Sequence, residues 1–231
     1  MRKYLIAIAL LFVSTAVHAQ DLKTHFLFGP EGGYNFGNTF VGGTAEVEIP
    51  IGPHVEIDGS GEINPYESHI KLGHGIGYSA GGGLLLWANR TSGFEGLYSH
   101  GGYTVTKVAK AADYVYAGYV YKHTMLGFPT RFHFDYFQQV FNGISANGTE
   151  TNHVIGGALA FDSIEGCFKT GCVRSKFTWY TGRTLNQGNP KCDGQCGDPI
   201  TCPRQSVLSG GFEFNVRFEF PRRAHGSYDL F

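Results

Sequence analysis

From Phe212 to Phe220 the chain reads FEFNVRFEF, an unbroken alternation. Phe212, Phe214, Val216, Phe218 and Phe220 fall on one side of an extended chain and Glu213, Asn215, Arg217 and Glu219 on the other, because successive strand side chains point to opposite faces. A helix, at 3.6 residues per turn, would scatter those phenylalanines around its circumference. The same period recurs where Arg131, His133 and Asp135 alternate with Phe132, Phe134 and Tyr136. It recurs again where Ala45, Val47, Ile49 and Ile51 interleave with Glu46 and Glu48, and where Ile57 and Ile63 share a face with Gly59 and Gly61. Several such windows in one chain commit it to antiparallel sheet with one apolar and one polar face.

The punctuation divides the chain into ten expected strands, near 25–37, 41–51, 54–63, 69–87, 94–107, 113–126, 130–141, 153–165, 173–185 and 207–220. Eight remain if the glycine-rich pieces merge. Short connections (52–53, 89–93, 127–129, 167–172) alternate with longer ones (64–68, 142–152, 186–206). Short turns opposite longer loops, with an even strand number, follow the connection rule of outer-membrane barrels. No internal repeat or linker interrupts the series, so residues 20–231 read as one all-β domain, an antiparallel up-and-down transmembrane barrel.

Residues 1–19 read as a signal peptide. Arg2 and Lys3 precede an apolar run from Leu5 to Val13, and Val17-His18-Ala19 supplies small residues before Gln20. The run is too short to span a bilayer as a helix. The longest later apolar run, Leu84 to Ala88, is shorter still. A chain of this kind enters a membrane only as a closed barrel, which satisfies every backbone group.

Alternation alone does not say which face is wet. In a soluble secreted barrel of the lipocalin type the apolar face points inward; in a membrane barrel it points to lipid. The charged fraction of 16% lies well below the usual ~25% of soluble domains, and the glutamates sit between large aromatics. Both observations favour the membrane arrangement. Arg131, His133, Asp135, Glu213, Arg217 and Glu219 are then a charge network in the lumen, and Tyr103, Tyr114, Tyr116, Tyr119 and Tyr121 are candidates for interfacial girdles.

The segment Phe28-Gly29-Pro30-Glu31-Gly32-Gly33-Tyr34-Asn35-Phe36-Gly37 resembles the first strand of small Gram-negative outer-membrane barrels related to the transmembrane domain of outer membrane protein A. Phe231 resembles that family's terminal aromatic. The resemblance implies an outer-membrane location, lipid around the barrel, and insertion by the barrel-assembly machinery. The chain departs from the pattern after Phe220, where Pro221 to Phe231 forms a tail carrying Arg222, Arg223 and His225. Either Phe220 acts as an internal signal or the tail folds back.

Five cysteines follow the leader. Cys167 and Cys172 bracket a short hairpin connection and are the expected disulfide; Cys192, Cys196 and Cys202 crowd one loop, where two are expected to pair. Zinc ligation is not expected, because CxxC knuckles and a nearby histidine are missing. Gly73-His74-Gly75-Ile76-Gly77 and Gly81-Gly82-Gly83 lack the helix that a nucleotide loop requires; such glycines relieve crowding where strands bend. The sequons at Asn89 and Asn147 carry little meaning in a bacterial exported protein.

A net charge of −1 gives no footprint for nucleic acid. No cofactor or metal is expected, and no enzyme. Ser99 and His100, adjacent in a strand, point to opposite faces and form no dyad, whereas His133 and Asp135 share a face. The expected role is structural, adhesive or loop recognition, with a lumen filled by side chains. The alternatives are a small pore, a lipid-modifying barrel enzyme and a soluble binding barrel.

Overall fold

The computed structural model describes residues 23–35, 38–67, 76–103, 111–145, 148–186 and 208–222. Ten strands run in order: β1 (His25–Asn35), β2 (Asn38–Pro50), β3 (Val55–Glu67), β4 (Gly77–Trp87), β5 (Ser92–Tyr103), β6 (Ala111–Met125), β7 (Phe128–Ser145), β8 (Gly148–Cys167), β9 (Cys172–Asn186) and β10 (Leu208–Phe220). Each pairs antiparallel with its neighbours in sequence, and β1 pairs with β10, so the sheet closes into an up-and-down barrel. The closing seam sets Phe26 opposite Phe220 and Tyr34 opposite Phe212. Closure leaves no unpaired sheet edge.

Four connections, β2–β3, β4–β5, β6–β7 and β8–β9, gather at one end, here termed the turn end; the opposite end is the loop end. Local chemistry explains the tight turns. Asn89 Oδ1 accepts from Thr91 N and Ser92 N, both at 2.9 Å, which folds the chain back between β4 and β5. Leu126 and Gly127 both have positive φ, 53° and 88°, the backbone of a two-residue hairpin whose twist matches the strands. The expected turn at 127–129 is thereby shifted, with Phe128 and Pro129 opening β7. Between β8 and β9, Phe168 N donates to Gly171 O at 2.9 Å, and Cys167 and Cys172 are disulfide-bonded register partners.

The expected loop 142–152 is mostly strand. β7 continues to Ser145 and β8 starts at Gly148, with Asn142 opposite Thr151 and Gly143 opposite Glu150. Its Asn, Gly and Thr residues read as loop from composition, yet the β7–β8 ladder pairs them along its length. Residues 64–67, also expected in a loop, belong to β3, and the expected strand 69–87 is described from Gly77.

Close strand approach explains one glycine directly. A Cβ on Gly156 would stand 2.2 Å from Thr181 O and 2.6 Å from the Phe137 ring.

Leu126 occupies a left-handed conformation that costs a branched L-residue about 1–2 kcal/mol and that asparagine adopts readily. Leu126→Asn is expected to stabilise the fold by roughly 1 kcal/mol, read as a higher urea midpoint at unchanged slope. An unchanged or lower midpoint would contradict the turn assignment.

Candidate functional site: the charged lumen

Strand parity sorts the side chains. Inward positions carry Glu31 on β1, Glu46 and Glu48 on β2, Glu56, Asp58 and Glu62 on β3, Glu95 on β5, Asp135 on β7, Asp162 on β8, and Glu213 and Glu219 on β10. The inward bases are Lys122, Arg131, Arg174, Lys176 and Arg217. Acids outnumber bases on this face.

The turn end holds the densest interactions. Arg174 is fully buried and donates to Asp162 at 2.5 Å and to Glu48 at 2.8 Å. Arg217, equally buried, donates to the other Asp162 oxygen at 2.7 Å and pairs with Glu46. Arg131 donates to Glu56 at 2.9 Å and lies 3.4 Å from Glu48. Glu219 stands 3.2 Å from His25 Nδ1 and 3.7 Å from Arg174. Several of these bonds do not follow the sheet. Arg131 on β7 reaches Glu56 on β3, and Arg174 on β9 reaches Glu48 on β2, across the lumen. Beside them Trp87 packs with Leu85 and Val120, with Lys122 Nζ 3.6 Å from its ring centre.

Further along the axis, His133 Nδ1 and Glu95 Oε1 stand 2.7 Å apart, with Asp135 completing a group whose ligand atoms lie within 4.8 Å of one another. Glu31, Glu62 and Glu213 form a second such group. Toward the loop end an aromatic layer follows. Tyr114 stacks on Tyr116 at 6.4 Å, Tyr116 meets Phe137 at 6.2 Å, and Phe137 meets Tyr180 edge-on at 6.4 Å.

Of the residues expected in the network, Arg131, Arg217 and Glu219 are buried in the cross-lumen cluster. His133 and Asp135 share the inward face, but the partner of His133 is Glu95 rather than Arg131. Glu213 lies higher and accepts from Asn215 Nδ2 at 3.3 Å. Tyr114 and Tyr116 are not girdle residues, because they face inward; Tyr119 and Tyr121 face outward. Sequence reasoning missed Arg174, Asp162 and the Glu46/Glu48/Glu56 set, although each shares the parity of a polar face. Ser99 points inward and His100 outward, where His100 Nδ1 stands 2.8 Å from Asp113. Cys192, Cys196, Cys202, the side chain of Tyr103 and the tail beyond Arg222 lie outside the described residues, as does the segment 1–19.

The outer face has the opposite chemistry. Every described strand except β8 exposes large apolar side chains there, among them Phe26, Ile63, Leu84, Phe94, Phe134, Trp179 and Phe214, and β8 adds Leu159 and Ile155, which are half-buried. Tyr34, Tyr66, Tyr78 and Tyr98 are exposed toward the loop end, Tyr121, Phe128 and Phe168 toward the turn end. Outward charges such as Asp113, Arg183 and Glu165 stand toward strand ends.

No protein-family model matches the chain, and no curated protein matches it in sequence. The chemistry of the lumen and of the outer face therefore carries the functional reading.

Removing one partner from a buried charge cluster leaves the others uncompensated, at a cost of about 3–5 kcal/mol. Arg174→Ala, which abandons both Asp162 and Glu48, is expected to lose that much in equilibrium unfolding. A loss below 1 kcal/mol would show that the cluster is not a fixed strut.

Proposed function

We propose that this chain is an exported outer-membrane β-barrel of a Gram-negative bacterium, its lumen filled by its own side chains, with a structural, adhesive or loop-recognition role. The observation that carries the reading is the inverted distribution of polarity: charges buried inside, large apolar side chains exposed around the outside. In water, burying apolar surface is worth about 25 cal/mol per Å², and soluble monomers rarely expose contiguous apolar patches beyond a few hundred Å². Phe94 at 59%, Ile63 at 58% and Trp179 at 53% exposure are costly in water and cost nothing against acyl chains. The rows of tyrosines and phenylalanines toward both ends match the aromatic belts of membrane interfaces. The resemblance of residues 28–37 to barrels of the outer membrane protein A type, and the leader-like segment 1–19, agree with this reading. Outer-membrane lipid and the barrel-assembly machinery are the partners it implies. The cross-lumen arginine bonds favour a plugged interior over a diffusion pore.

Two measurements test the proposal. Cell fractionation is expected to place the protein in the outer membrane, with an SDS-gel band that shifts on boiling; a soluble product with no shift overturns it. A second test turns on Phe214, exposed at mid-strand in β10. If its surroundings are lipid, Phe214→Arg destabilises the barrel by about 2–4 kcal/mol; in water such a surface change stays within about 0.5 kcal/mol. Planar-bilayer recording is expected to show no steady conductance, and a stable open channel would favour the pore.

A further inference from the structure

We propose that the mid-lumen carboxylates Glu31, Glu62 and Glu213 form a binding site for a hard divalent cation of the calcium class. One oxygen of each lies within 4.8 Å of the other two, so a single ion can touch all three. They arrive from β1, β3 and β10, consecutive strands around the closed barrel except for β2, whose contribution at that level is Gly42, the register partner of Glu31.

Proximity of acids is not sufficient, and a second observation points to a ligand. Glu31 is 4% exposed, and neither of its carboxylate oxygens has a hydrogen-bond partner among the described residues. Its register partner on β10 is Asn215, 3% exposed, whose amide nitrogen is spent on Glu213 while its Oδ1 is left without a donor. Asn64 Oδ1, the next inward position after Glu62, is buried and unpartnered too, against Gly42. The unsatisfied atoms of Glu31, Asn215 and Asn64 are thus oxygens, the donor set of calcium rather than of zinc or copper. A buried acceptor of this kind costs free energy unless a donor or cation reaches it.

The charge balance points the same way. The arginines are committed to Asp162, Glu46, Glu48 and Glu56 at the turn end. Lys176 is the base whose field reaches Glu31, Glu62 and Glu213 together, and it is shared with Glu46. One ammonium reaching all three carboxylates, with Arg217 acting at Glu213, leaves room for a dication. Ser79 Oγ, donating to Glu62 at 3.0 Å, orients that carboxylate without neutralising it. The inference uses only the closed barrel and its inward face, so it holds whether lipid or water surrounds the outside.

Tyr116 and Tyr180 line the adjacent layer, and their phenols lie within the electrostatic reach of Glu62 and Glu213. They supply an antenna for terbium, a calcium-like ion. Purified full-length protein, excited in the aromatic band, is expected to give saturable terbium luminescence that calcium displaces. Glu31→Gln and Glu213→Gln keep shape and remove charge, and each is expected to weaken binding at least tenfold while retaining the circular-dichroism spectrum of a folded barrel. If one variant fails to fold, the other decides. The inference is overturned if folded wild-type protein gives no saturable signal, meaning protons and water satisfy the cluster. It is overturned equally if both folded variants bind terbium as the wild type does, or if magnesium displaces terbium and calcium does not.

Discussion

Asp162 is held by two fully buried guanidinium groups, Arg174 from β9 and Arg217 from β10, and the rest of the barrel is arranged around that contact. Each arginine also reaches β2, Arg174 at Glu48 and Arg217 at Glu46. Arg131 extends the cluster from β7 to β3. Alternating signs let the charges of this cluster meet opposite neighbours, the condition under which pairing offsets desolvation. Backbone ladders fix each strand only to its neighbours; the Arg131–Glu56, Arg174–Glu48 and Arg217–Asp162 bonds fix strands that share no ladder. A closed ten-strand sheet has a lumen wider than that of an eight-strand barrel. Arginines, long and forked, bridge it where shorter residues would not.

The two ends of the molecule solve different problems. At the turn end the arginine cluster, the Leu85–Trp87–Val120 group and the Cys167–Cys172 bond sit behind two- to four-residue connections. Toward the loop end the lumen holds carboxylates and then the Tyr114, Tyr116, Phe137 and Tyr180 rings. Charge compensation within the chain is thus concentrated near one mouth. Tyr180 also donates to Tyr34 O at 3.2 Å, tying the aromatic layer to the backbone at the seam. Glycine at 156 permits this layer, since any side chain there would displace the Phe137 ring.

Much of this was legible from parity. FEFNVRFEF settles both the strand and its two faces, and Arg131, His133 and Asp135 were readable as inward neighbours for the same reason. The tyrosines of β6 show how parity was misread. Tyr114 and Tyr116 are two apart, as are Tyr119 and Tyr121, but the step from 116 to 119 is three, so the pairs lie on opposite faces. Arg174, Lys176, Thr178 and Tyr180 likewise share one parity against Val173, Phe177 and Trp179, a signal present but unused. What parity does not encode is the partner. Arg131 and Glu56 are 75 residues apart and sit on strands that never touch, so their bond exists only once the sheet has closed. Composition misled at 142–152 for a related reason: the pairing of Asn142 with Thr151 and Gly143 with Glu150 comes from the β7–β8 ladder, not from the residues themselves.

On the proposed reading, the polarity of the faces also limits where recognition resides. A surface that repeats exposed Phe, Ile, Leu and Val on strand after strand offers one uniform chemistry and little to distinguish partners. The turn end is built from connections too short to present much surface. Variety of residue type is concentrated at the other mouth, where the long segment between β9 and β10 carries three cysteines amid glycine, aspartate and proline. Loops held on a rigid scaffold are the usual seat of recognition, because their sequence changes without disturbing the ladder that carries them. In this barrel the scaffold's rigidity comes from the opposite end. Thus, on the proposed reading, the arginine cluster fixes the strands near one mouth while recognition falls to the segments at the other.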